Sequence, residues 1–122
     1  MVGKNQAYKT INSAIAQAQN GDTILVQKGH YKEGNINIQK SIALIGIGRP
    51  VLDGQMKYEI VSLRANKILL QGFKIINSGE DEVKNIGAVR LYDSQFSTIK
   101  NNIFENNYFG ITIQRGYQCL IQ

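Results

Sequence analysis

Two stretches decide the fold: Leu70-Gln-Gly-Phe-Lys-Ile-Ile-Asn77-Ser78 and Ile99-Lys-Asn-Asn-Ile-Phe-Glu-Asn106-Asn107. At an offset of 29 residues, Leu70 falls on Ile99, Ile75 on Phe104 and Asn77 on Asn106. Gly87-Ala-Val-Arg aligns with Gly110-Ile-Thr-Ile at an offset of 23, and Ile99 with Ile121 at 22. Internal repetition at about 22 residues is the mark of a solenoid. The extra residues fall in Gly79–Asn85, a polar and acidic stretch that reads as a loop extruded from one rung.

A leucine-rich repeat shares this period but needs Leu at fixed positions and a helical segment in each repeat. This chain is rich in Ile (18) and Asn (12) instead. Ile favours strands, while Asn and the 12 Gly supply tight corners. The expected strands are Thr23–Val26, Ile36–Ile38, Ile42–Ile45, Val51–Leu52, Ile60–Leu63, Ile68–Leu70, Phe73–Ile76, Ala88–Leu91, Thr98–Ile99, Ile103–Phe104, Ile111–Ile113 and Leu120–Ile121. They are too short for a sandwich or a hairpin sheet. The expected fold class is therefore an all-β solenoid, a parallel β-helix. Inward residues such as Leu70, Phe73 and Ile99 stack on the next rung, ~4.8 Å away. Asn77, Asn102 and Asn106 are expected at corners, where an amide can bond the backbone of a neighbouring rung. Phe73 interrupts that ladder at the place equivalent to Asn102. Gly29, Gly46, Gly54 and Gly110 read as turn positions, and Gly46-Ile-Gly48 lacks the rest of either nucleotide-binding fingerprint.

One segment reads as a helix, Thr10–Gln19. Ile11, Ala14, Ile15 and Ala18 share one face, Thr10 suits the N-cap and Asn20-Gly21 suits the stop. Residues 1–22 are thus expected to form an N-terminal segment with a capping helix, its Ile11, Ile15 and Ala18 facing the first rung. Residues 23–122 form the rungs. The chain stops at Cys119-Leu120-Ile121-Gln122, in mid-repeat and with no polar cap. We therefore expect the native solenoid to continue, or the open rung to self-associate through Leu120 and Ile121.

Tyr8-Lys-Thr-Ile-Asn-Ser-Ala-Ile15, Asn20-Gly-Asp-Thr-Ile-Leu-Val26 and Lys28-Gly-His-Tyr-Lys-Glu33 resemble the opening of right-handed parallel β-helix proteins of the pectin-lyase-like superfamily. Lys40-Ser-Ile-Ala-Leu-Ile-Gly46 and Pro50-Val-Leu-Asp-Gly54 continue the likeness. Asp53-Gly-Gln-Met56, Gln71–Ser78, Ile99-Lys-Asn-Asn102 and Phe109-Gly-Ile111 narrow it to the NosD family, the periplasmic β-helix factors of nitrous oxide reductase maturation. The resemblance implies a right-handed solenoid in the periplasm, exported by a signal peptide that this chain does not carry. It implies protein partners, nitrous oxide reductase or an ABC transporter, in the assembly of a copper centre. The repeat is also described as a carbohydrate-binding and sugar-hydrolysis type, so an acidic polysaccharide is an alternative partner.

The chain carries a net charge of +5, but its Lys and Arg are scattered, which speaks against nucleic acid. The apolar runs are too short for a membrane-spanning helix. One His and one Cys leave few metal ligands. His30, at a turn opening a strand, Met56 and Cys119 are the candidate copper ligands, far apart in sequence and without ligand spacing. Their ordinary readings are an exposed turn residue, a loop or core filler and a partly buried thiol. No cofactor is expected in this segment apart from copper through the resemblance. No catalytic residue is assigned. Glu80, Asp81 and Glu82 are the only clustered acids, and they read as a solvated loop. Tyr31, Tyr58, Tyr92, Tyr108 and Tyr117 suit either the wet rim of a solenoid or a sugar-stacking face. Two functions stand open: a non-catalytic NosD-type scaffold, and a module that binds or cleaves acidic polysaccharide.

Overall fold

The computed structural model describes residues 1–79, 87–116 and 118–122. The acidic cluster Glu80–Glu82, most of the expected loop and Tyr117 lie outside them. Among the described residues, thirteen short strands wind into three parallel sheets. The first sheet holds β1 (Thr23–Val26), β4 (Ala43–Gly46), β7 (Leu69–Gln71), β10 (Thr98–Lys100) and β13 (Leu120–Ile121). The second holds β2 (His30–Tyr31), β5 (Val51–Asp53), β8 (Lys74–Ile76) and β11 (Ile103–Glu105). The third holds β3 (Ile36–Ile38), β6 (Val61–Leu63), β9 (Val89–Tyr92) and β12 (Ile111–Gln114). Each turn contributes one strand to every sheet, which makes a parallel β-solenoid of about four turns.

Alternation along each strand sends one row of side chains inward. Ile24, Leu44, Leu70 and Ile99 stack in register on the first sheet and are buried. On the second sheet, buried Leu52 and Ile75 lie between half-buried Tyr31 and Phe104. On the third, Ile36, Val61 and Val89 form one buried row, and Ile38, Leu63 and Leu91 another. The result is one apolar core running along the axis.

The 29-residue repeat is a true register, with Leu70 paired to Ile99 and Ile75 to Phe104. Ile99 pairs with Ile121 at 22. The Gly87–Gly110 alignment is out by one residue, because Val89 pairs with Ile111 and not with Thr112. The inward row decides this. A slip of one would set a hydroxyl against buried Val89 and turn Ile111 away from the core. His30, expected at a turn opening a strand, is itself the first residue of the two-residue strand His30–Tyr31, which is too short to carry a readable alternation.

The helix α1 runs Ile11–Gln17, shorter than the expected Thr10–Gln19. It ends at an extended Ala18 and not at Asn20-Gly21. Thr10 is the N-cap and accepts a bond from the Ser13 N–H at 3.2 Å. Ile11, Ala14 and Ile15 are buried, and α1 touches β1 and β3. Two charged residues of the first turn clamp this helix. The Glu33 carboxylate accepts from the N–H groups of Ile11 (2.6 Å) and Asn12 (3.0 Å). The Lys40 ammonium donates to the carbonyls of Ile15 (2.8 Å), Ala16 (3.1 Å) and Ala18 (2.7 Å). Helix ends leave such groups unpaired, and their partial charges favour an anion at the start and a cation at the end. Val2 seals the remaining edge of β1: its N–H donates to Leu25 and its carbonyl accepts from Gln27, each at 2.8 Å.

Lys40→Met should lower stability by about 1.5–3 kcal/mol, the usual value of hydrogen bonds to a charged group. Urea denaturation followed by circular dichroism reads this directly. Leu70→Asp should abolish folding, since it places a carboxylate in the axial core. A folded Leu70→Asp variant would contradict the register.

Candidate functional site: a polar groove and its neighbouring ladder

The corner between the third and first sheets carries a concavity of about 600 Å³, lined by Asn20, Gln39, Ser41, Arg64, Ala65, Asn66, Tyr92 and Asp93. Its size falls within the range of small-molecule sites. Successive turns build it by stacking. Gln39 follows β3, Arg64 follows β6 and Tyr92 ends β9, so one side of the groove is a single column across three turns. The corner backbone is tied by side chains. Asn20 accepts from the Ser41 N–H (2.9 Å), Asn66 from the Gln95 N–H (3.0 Å) and Ser97 from the Ile68 N–H (3.1 Å).

Tyr92 is the centre of this surface. The Arg64 guanidinium lies 3.9 Å from its ring centroid and the Arg90 guanidinium 4.8 Å. Both are cation–π distances. Arg64 also donates from Nε to Asn37 Oδ1 at 3.0 Å. The Tyr92 hydroxyl reaches both oxygens of Glu59, at 3.0 and 2.9 Å, and Ser62 donates to the same carboxylate. Burial, the bond to Glu59 and the charge of Glu59 hold the Tyr92 phenol above its ordinary value, against the pull of Arg90 and Arg64. Tyr92 is therefore a neutral donor at any physiological pH. Asp93, at the groove edge, is paired with Arg115 at 2.7 Å.

At the corner that follows the second sheet, a polar ladder crosses four turns. His30 Nε2 lies 2.8 Å from Asp53 Oδ2. Asn77 donates to Asp53 Oδ1 at 3.2 Å, and Asn106 donates to Asn77 Oδ1 at 2.7 Å. The Gln55 N–H adds a bond to Asp53 Oδ1 at 2.8 Å. Burial alone would raise the Asp53 carboxyl. The bonds from His30, Gln55 and Asn77, with the charge of His30, outweigh it and hold the carboxyl below its ordinary 3.8. Asn77 and Asn106 both adopt left-handed backbone, a conformation Asn tolerates. Asn102 bonds the turn behind it, accepting from the Phe73 N–H (2.9 Å) and donating to the Leu70 carbonyl (3.0 Å). Asn107, not singled out from the sequence, does the same for Ser78 and Ile75.

Of the candidate copper ligands, His30 and Met56 border this ladder, with Met56 Sδ 3.8 Å from the Asn106 amide. Cys119 lies at the groove corner instead, its thiol 3.2 Å from the Ser94 carbonyl. Among the described residues, no three of His, Cys, Asp and Glu gather as a metal site. The tyrosines occupy separate places. Tyr31 bonds the Gln27 carbonyl, Tyr92 lies on the third sheet, and Tyr108 meets Phe109 edge-on. Among the glycines, a Cβ at Gly46 or Gly54 would collide with backbone of the next turn, at 2.7 and 2.5 Å. A Cβ at Gly29 would meet the Tyr31 ring at 3.3 Å, and one at Gly110 would meet nothing.

No family model, no curated protein and no solved structure matches the chain.

The lowered Asp53 carboxyl sets a sign for acid stability. Its contribution is complete above its ordinary value of 3.8 and is lost as pH falls from there through the lower folded value. Asp53→Asn should therefore be less stable than the parent at pH 6, and the gap should close as pH approaches 2. Urea midpoints across that range test this, and a constant gap would rule it out.

Proposed function

We propose that this chain is a non-catalytic solenoid scaffold that binds a partner, in the manner of the NosD-type factors it resembles. The state of the carboxylates supports this best. Six lie among the described residues, and each accepts a bond from the solenoid itself. Asp22 holds the Gln19 N–H, Glu33 the start of α1, Asp53 the ladder, Glu59 the Tyr92 hydroxyl, Asp93 Arg115 and Glu105 Lys74. A polysaccharide lyase, esterase or epimerase needs a side chain within reach of the proton it moves. These carboxylates serve to hold turns together. On this reading the partner is nitrous oxide reductase or the transporter that supplies its copper centre, and the setting is the periplasm.

The groove favours one second reading, a carbohydrate-binding module. Its amides, hydroxyl and phenol match the donors and acceptors of sugar hydroxyls, and Arg64 offers a cation to a uronate carboxylate. Immobilised protein can be challenged with nitrous oxide reductase, with the transporter, and with polyuronide oligomers. We expect retention of the reductase or the transporter and no release of cleaved sugar. Saturable oligomer binding, weakened about tenfold by Arg64→Ala, would transfer the function to the second reading. Product release abolished by substitution of a single carboxylate would overturn both.

A further inference from the structure

We propose that a second concavity, at the N-terminal end, binds a compact dianion of the phosphate class, either the free ion or a small monoester. The concavity measures about 360 Å³ and is lined by Lys4, Lys9, Lys28, Gly29, His30 and Tyr31. Nothing in the scaffold or carbohydrate readings uses it, so it stands or falls apart from them.

Backbone pairing is what brings these residues together. Val2 is fully buried and forms parallel bridges to both Tyr8 and Val26. Lys4 lies two residues after Val2, Lys9 one after Tyr8 and Lys28 two after Val26. The same pairing that seals the edge of β1 therefore sets three lysines around one space. All three lysines are exposed, and none has an acidic partner among the described residues. Two carboxylates act on the lining residues: Asp53 bonds His30 as well as Gln55 and Asn77, and Glu33, whose charge reaches Tyr31, bonds the start of α1.

His30 lines the same space but is committed to Asp53. An ionised Asp53 has no hydrogen to give, so the 2.8 Å contact places the hydrogen on Nε2 and fixes the ring. Three like charges lining one concavity repel one another, and a bound dianion relieves that repulsion. Lysine supplies compact, rotatable point charges, which phosphate oxygens accept.

The test uses the full chain at fixed ionic strength. Sodium phosphate and glycerol phosphate are titrated separately, with sodium chloride as the reference, and followed by amide NMR shifts and thermal melting. We expect saturable shifts at Lys28, Gly29, His30 and Tyr31 and a rise in melting temperature with either phosphate. Tighter binding of glycerol phosphate assigns the site to the monoester, and equal or weaker binding assigns it to the free ion. Lys9→Ala combined with Lys28→Ala should weaken the binding at least about tenfold. The double variant should still fold, because both side chains are exposed. Lys57→Ala, at another corner, should change nothing. Shifts that follow ionic strength alone, or an affinity unchanged in the double variant, would overturn the proposal.

Discussion

Stacking in register is the constraint on which everything else here depends. Every strand residue lies against its counterpart one turn before and one turn after, about 4.8 Å away. A position is therefore never chosen alone. Leu70 must suit both Leu44 and Ile99, and Leu52 must suit both Tyr31 and Ile75. Apolar columns merge into an axial core, and polar columns become ladders of hydrogen bonds. The same rule that hides Leu70 places Arg64 over Tyr92, because a column on the outer face is as closely spaced as one inside.

Wherever a column repeated its chemistry, the fold could be read directly. Leu70 over Ile99 and Ile75 over Phe104 repeat side chains of one kind, so the 29-residue register was visible. Gly87 over Gly110 misled by one residue, because two glycines look alike whether or not they are paired. The helix was legible from Ile11, Ala14 and Ile15, but its length was set by Lys40 reaching back from the first turn. No local pattern announces such a contact.

The groove and the lysine pocket were less legible still. Arg64 and Tyr92 are 28 residues apart, and Lys4 and Lys28 are 24 apart. Neither spacing equals the 22-residue period, because the turns differ in length. Charge looked scattered along the chain, yet winding sorts it. The described carboxylates are taken up by backbone and side-chain bonds of the solenoid, while Lys4, Lys9 and Lys28 remain exposed. A modest positive balance in composition thus becomes a local positive surface.

The turn lengths carry a consequence for how such a chain changes over time. Along the first sheet, paired residues Thr23, Ala43, Leu69, Thr98 and Leu120 are separated by 20, 26, 29 and 22 residues. The strands stay aligned across that whole variation, so the corners absorb all of it. Length is free at the corners and forbidden within the strands. A corner is then a place where new segments can be inserted or exchanged without disturbing the stack. The solenoid behaves as a fixed rack on which loops of different size, and with them different recognition, can be hung one turn at a time.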